Sequence, residues 1–268
     1  MKSFQVSLYN WENCPGQLRN QINDILEYYH QVLREKLSGF YLHGSLTMGC
    51  YVPGNSDIDF LATIKLKMTV KEKKSIINYL LDISQNSSGI KIEMHIVTEE
   101  SLQQIQNPSP FELHYSDSWR DRFLSGDVDW NSPKYDEDLV MHYLAIRHRG
   151  ICLYGPSIHV IFPEPPREMW IKSMINDFTF IREHIDSVQM AYAVLNPCRN
   201  LAFIREGKLL SKKEGGEWAL INLPGEFIPT ISQALDNYTN NRENFKLNKV
   251  MLYRFLEYVL SEIVDYKI

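Results

Sequence analysis

What most limits the folds open to this chain is an apolar run ending in Leu42-His43-Gly44-Ser45 and followed, after a gap of eleven residues, by Asp57-Ile58-Asp59-Phe60-Leu61. A Gly-containing loop separates the two, and the two carboxylates stand at the start of the second apolar run. Successive strand side chains alternate faces, so Asp57 and Asp59 point the same way while Ile58 and Phe60 enter a core. Two close carboxylates repel each other and stay ionised at little cost only with a cation or donors between them. Hard oxygen ligands on so short a spacing suit Mg²⁺ that also holds triphosphate oxygens. Gly44 lets backbone approach a phosphate, and Ser45 offers a hydroxyl. Asp-x-Asp alone also describes a polar turn running into a strand with surface carboxylates. The Gly-Ser ending of the strand before it favours the metal-and-phosphate layout.

A chain of 268 residues holds one large domain or two ordinary ones. Net charge is −5, which argues against a nucleic-acid backbone as the main partner and suits a small cationic substrate better. Cys14, Cys50, Cys152 and Cys198 show no metal-binding spacing and read as reduced thiols of a cytoplasmic protein. Met1-Lys2-Ser3-Phe4-Gln5 opens no apolar leader, and no apolar run approaches the roughly 18 residues of a membrane span. A monomer without nucleic-acid or membrane partners is expected.

Residues 12–37 carry Leu18, Ile22, Ile25, Leu26, Tyr29, Val32 and Leu33 at helical spacing. A strand over 39–43, a turn at Pro53-Gly54-Asn55-Ser56 and a strand over 58–64 follow. The spacing predicts a helix over 69–83 with Thr69 as N-cap, broken by Gln85-Asn86-Ser87-Ser88-Gly89. Ile90, Ile92, Met94 and Ile96 then alternate inward, so Glu93 and His95 share the opposite face. Beside the Asp57/Asp59 strand, Glu93 becomes a third carboxylate.

Asn107-Pro108-Ser109-Pro110 reads as a linker, after which helices are predicted over 137–149, 167–194, 197–205, 217–222, 227–238 and 248–264. The expected architecture is therefore α/β. An N-terminal mixed-sheet domain over 1–110 precedes an α-helical bundle over 111–268, with the active site in the cleft. Arg199, Lys208, Lys212 and Lys213 cluster around a Gly207-Lys208 turn, as phosphate-binding groups at a cleft would. Trp119 stands among polar neighbours, where a domain-packing role and a ligand platform both fit.

Gly44-Ser45 and Ser56-Asp57-Ile58-Asp59 look like the signature of the nucleotidyltransferase superfamily. With Glu93, Trp119, Asp138-Leu139, Arg147, Leu153-Tyr154-Gly155-Pro156, Arg199, Lys212, Glu217-Trp218-Ala219, Leu223-Pro224 and Tyr238, the chain resembles one branch of it. That branch is the aminoglycoside nucleotidyltransferases that adenylylate streptomycin and spectinomycin, the 3''- and 9-O-adenylyltransferases. The resemblance implies an ATP- and Mg²⁺-dependent transfer of AMP to an antibiotic hydroxyl. It implies Asp57 and Asp59 as metal ligands and Glu93 as catalytic base, substrate contact and further ligand. Gly44, Ser45, Ser56, Asp138, Arg199, Lys212 and Tyr238 would bind the nucleotide, and Trp119 would line the antibiotic pocket. On charge alone, Glu93, Asp138, Glu112 and Asp117 beside Trp119 would suit a cationic acceptor.

The chain also departs from that branch. Streptomycin-modifying members carry a Trp and acidic residues on the helix before the Arg matched by Arg199, where this chain has Phe180, Ile185 and Gln189. The proline-tryptophan segment after the family's Glu is replaced by Glu99-Glu100-Ser101 and Asn107-Pro108. The compact spectinomycin is thereby favoured over streptomycin, whose guanidinium groups want acidic partners. A lincosamide or protein hydroxyl as acceptor, and a nucleotide-binding relative without turnover, are the alternatives.

Overall fold

Leu18, Ile22, Ile25, Tyr29 and Leu33 recur every three or four residues and form the buried stripe of α1 (Gly16–Leu33). The computed structural model describes residues 8–86, 90–240 and 248–266. After α1 come β1 (Leu37–His43), α2 (Gly44–Thr47), β2 (Asp57–Ile64), α3 (Val70–Asn86) and β3 (Lys91–Thr98). Thr69 caps α3 reciprocally. Its Oγ1 accepts the Glu72 N–H at 3.3 Å, and Glu72 Oε2 accepts the Thr69 N–H at 2.6 Å. Gln85 and Asn86 still belong to α3, and the rest of the expected break, Ser87 to Gly89, lies outside the described residues, as do Met1 to Gln5.

The chain continues through α4 (Glu99–Gln103), β4 (Ser109–Phe111), β5 (Leu113–Tyr115), α5 (Arg120–Ser125), β6 (Lys134–Asp136), α6 (Leu139–Arg149), β7 (Ile151–Tyr154) and α7 (Ile158–Ile161). Five strands form one sheet in the order β5-β3-β2-β1-β7, with β2 and β3 parallel and every other pair antiparallel. Both faces are covered. Phe40, Leu42, Ile58, Phe60, Ile92, Met94 and Ile96 pack with α1 and α3 residues such as Tyr29, Ile76 and Leu80. Tyr41, Leu61 and Val97 pack on the other side with Leu139, Tyr143 and Ile146 of α6 and with Phe162.

Aromatic packing pins the register that matters for the site. Phe40 and Phe60 stack at 4.6 Å, and Tyr29 meets both edge-on at 5.6 and 5.8 Å. Each such pair adds about 0.5–1.5 kcal/mol beyond its area burial. Because a one-residue slip would turn every side chain to the wrong face, this packing keeps Asp57 and Asp59 off the core side.

A compact unit spans Leu8–Pro166, and a second begins at Arg167. The linker expected at 107–110 falls inside the first unit. Instead of leaving the sheet, it delivers Leu113–Tyr115 to the free edge of β3, while Ile151–Tyr154 returns to β1. Strands of three and four residues carry too little periodicity to separate from loop.

The second unit consists of α8 (Arg167–Glu183), α9 (Met190–Glu206), α10 (Lys212–Asn222), α11 (Ile228–Asn240) and α12 (Lys249–Asp265). The single helix expected over 167–194 is two. The Ser187 and Val188 N–H groups both turn back to His184 C=O at 2.9 Å, closing a turn between α8 and α9. Pro197, expected to start a helix, lies inside α9. Its missing N–H costs one ladder bond, which the burial of Val194, Leu195, Cys198, Leu201 and Ala202 outweighs. Ser211 and Glu214 cap α10 reciprocally. No described helix is long and apolar enough to cross a membrane.

Candidate active site

The sheet register assembles the three carboxylates. On parallel strands Asp59 pairs with Glu93 and Asp57 with Lys91, while His43 of β1 lies opposite Asp59 on the other side. Asp57, Asp59 and Glu93 are all half-buried, and a ligand oxygen from each lies within 4.8 Å of the other two. Burial first, and then the charges of Asp57 and Asp59, push the Tyr51 phenol up to about 12. Three carboxylates held this close make a corner of the fold that a cation would suit.

The loop between β1 and β2 is shaped for a phosphate. Gly44 adopts φ +68°, and a Cβ there would fall 1.8 Å from Asp59 Oδ2. Ser45 Oγ is buried without a hydrogen-bond partner. Ser56 closes the loop, its Oγ accepting the Val52 N–H at 3.0 Å and its own N–H donating to Val52 C=O at 2.8 Å. A hard cation with phosphate oxygens fits this donor set: three carboxylates, an unsatisfied hydroxyl and backbone open to close approach. Gly44→Ala is expected to lose about 1–2 kcal/mol from the left-handed backbone alone and to displace Asp59 as well. Thermal unfolding and MgATP affinity measured together check this. The affinity should fall further than the folded fraction explains, and an unchanged affinity would contradict the cradle.

Beside the carboxylates lies a row of histidines. His142 Nε2 of α6 faces Glu93 Oε1 at 3.9 Å, and its ring meets His43 at 5.0 Å and His95 at 5.2 Å. Burial, then the neighbouring His142 and His95, hold His43 well below the usual imidazole range. Burial also lowers His95, against its bond to Asp136, whose Oδ2 lies 3.0 Å from His95 Nε2. Burial alone would raise the Asp136 carboxyl, but the bonds from His95 and from the Asp138 N–H at 2.7 Å outweigh it and hold the group below the usual carboxylate range.

Trp119 continues this row through His114, whose ring lies 5.3 Å from the indole and 4.2 Å from His95. Burial, then His95, lowers His114 to about 3. Arg122 lies over the Trp119 ring at 4.5 Å. Glu112, expected near an acceptor, lines a cavity with Trp119, accepts the Met68 N–H at 3.1 Å and pairs with Lys73 at 3.3 Å. Asp117 is exposed, and Asp138 is the N-cap residue of α6.

The remaining expected nucleotide contacts belong to the second unit, Arg199 on α9, Lys212 opening α10 and Tyr238 on α11. Lys212 Nζ lies 5.4 Å over the Tyr192 ring. Burial raises the Asp177 carboxyl, opposed by a hydrogen bond from Tyr192 and by the charges of Arg199 and Lys212. Lys208 and Lys213 pair with Glu206 and Glu217. Phe180 is exposed on α8, while Ile185 and Gln189 fall in the turn after it.

Sequence reasoning missed His142 and Asp136 beside the carboxylates. Asp138 and His142 stand one helical turn apart at the start of α6, the one pattern that pointed toward the site.

Comparisons with known proteins point one way. Residues 160–262 match the family model described as aminoglycoside adenylyltransferase, C-terminal domain. An aminoglycoside (3'') (9) adenylyltransferase of Shigella flexneri is 24% identical over 253 residues, covering 92% of this chain and 95% of that protein. A spectinomycin 9-adenylyltransferase of Staphylococcus aureus is 24% identical over 227 residues, covering 83% and 86%. Among solved structures, a spectinomycin adenyltransferase of Enterococcus faecialis, crystallised with ATP and spectinomycin, shares the fold. Its TM-score is 0.77 at 21% identity, over 92% of this chain and 99% of that one.

Proposed function

We propose, from its likeness to the aminoglycoside adenylyltransferases, that this chain belongs with them and moves AMP from ATP to a hydroxyl of an aminocyclitol antibiotic, with spectinomycin the favoured acceptor. The observation that carries the reading is the group Asp57, Asp59 and Glu93, with ligand oxygens within 4.8 Å, beside the Gly44-Ser45 cradle. The named relatives supply the acceptor class.

The acceptor oxygen attacks the α-phosphorus, the bond to the β-phosphate oxygen breaks, and pyrophosphate leaves. Glu93, half-buried beside Asp59 and 3.9 Å from His142 Nε2, accepts the hydroxyl proton. Asp57 and Asp59, with Glu93, would hold Mg²⁺, which when bound neutralises charge on the triphosphate. Ser45 offers its hydroxyl to a phosphate oxygen, and Gly44 keeps the backbone close enough for that bond. Arg199, Lys212 and Tyr238 are assigned to the nucleotide and Trp119 to the antibiotic on the resemblance to the family. Spectinomycin over streptomycin rests on the neutral side chains Phe180, Ile185 and Gln189.

Expression in a sensitive bacterial host tests the acceptor. Wild type should protect against spectinomycin, and Glu93→Ala should lose that protection. Strong protection against streptomycin would overturn the preference, and protection against neither would move the acceptor to another hydroxyl compound.

A further inference from the structure

The Glu93 carboxylate is seated against α6, not only against its two acidic neighbours, since its Oε1 lies 3.9 Å from His142 Nε2. The His142 ring is in turn braced from two strands. His43 on β1 meets it at 5.0 Å and His95 on β3 at 5.2 Å, both edge-on, and β1 and β3 are the strands that flank the Asp57/Asp59 strand. His95 is itself tied to Asp136 at 3.0 Å. Leu139, Tyr143 and Ile146 fasten the same helix into the apolar layer over the sheet.

The tautomer follows from the partners. His142 Nδ1 is buried with no hydrogen-bond partner. A stranded N–H there would cost about 1–3 kcal/mol of desolvation, whereas a proton on Nε2 points at a carboxylate. The imidazole therefore presents a donor to Glu93. At 3.9 Å the contact is longer than a hydrogen bond and acts as an oriented electrostatic one.

We propose that His142 is a positioning residue for Glu93: its Nε2–H and its braced ring hold the carboxylate in one rotamer beside Asp59. The inference rests on the adenylyl-transfer reading, in which Glu93 takes the acceptor proton. A free glutamate side chain has about 1.5–2 kcal/mol of rotamer freedom to lose, and a reacting group misplaced by about 1 Å can lose about 10²-fold in rate. An apolar residue at 142 would fill the same space and orient nothing.

His142→Leu keeps the bulk and removes the donor, while His142→Gln keeps an N–H at similar reach. Expected for His142→Leu is a kcat lower by about 10–100-fold with KM for ATP within about twofold of wild type, and for His142→Gln a partial return of kcat. Equal losses in the two variants, or a wild-type kcat in His142→Leu, would overturn the proposal. A crystal structure of His142→Leu decides the same question without any turnover. Glu93 leaving its place or losing order supports the positioning role, and Glu93 unmoved and ordered overturns it. Absence of adenylyl transfer in wild type would instead count against the functional reading, and the position of Glu93 would still settle the role of His142.

Discussion

Asp59→Ala should fold as well as wild type and transfer AMP at least about three orders of magnitude more slowly. Asp59 is the central group of the three carboxylates, paired with Glu93 across the parallel strands and packed against Gly44. A cation that stabilises developing phosphate charge is worth several kcal/mol, and each 1.36 kcal/mol is about tenfold in rate. Removing one of three mutually repelling carboxylates relieves strain, so thermal stability without metal should be unchanged or higher. Added Mg²⁺ and ATP should raise the melting temperature of wild type, by mass action on the folded state, and leave Asp59→Ala nearly where it was. Melting curves with and without MgATP, together with pyrophosphate release, check both halves. Full turnover by the variant would remove the metal-site reading.

Glu93→Gln should cost about 10²–10⁴-fold in kcat, the range a positioned general base supplies. The amide keeps the shape and most of the polarity of the side chain but cannot take the hydroxyl proton. Affinity for ATP should fall much less than kcat, because Asp57, Asp59 and the Ser45 cradle remain. A variant with weakened ATP binding and an intact maximal rate would recast Glu93 as a ligand only.

Much of this candidate site is legible in the sequence, for physical reasons that are specific to each part. Asp57 and Asp59 were legible because strand alternation fixes two residues of the same strand to one face. Glu93 was legible because Ile92, Met94 and Ile96 declare their own inward face. His142 was not, because it faces Glu93 only once α6 has docked on the sheet, a contact 49 positions away in the chain that no local period encodes. The break between α8 and α9 was hidden because Ile185 and Val188 continue an apolar spacing through the turn closed on His184. Pro197 misled in the opposite direction, reading as a start where burial of the surrounding helix overrides the lost bond. The reach of the sheet past 110 escaped because its last two strands are too short to show alternation.

The most direct measurement follows the label from ATP marked at its α-phosphate in a reaction with Mg²⁺, spectinomycin and the purified chain. Transfer of AMP predicts labelled spectinomycin and one unlabelled pyrophosphate for each acceptor modified, with both signals lost in Asp59→Ala and strongly reduced in Glu93→Gln. Label remaining in ATP, or released on water as free AMP while spectinomycin and the other candidate acceptors stay unmodified, would contradict it.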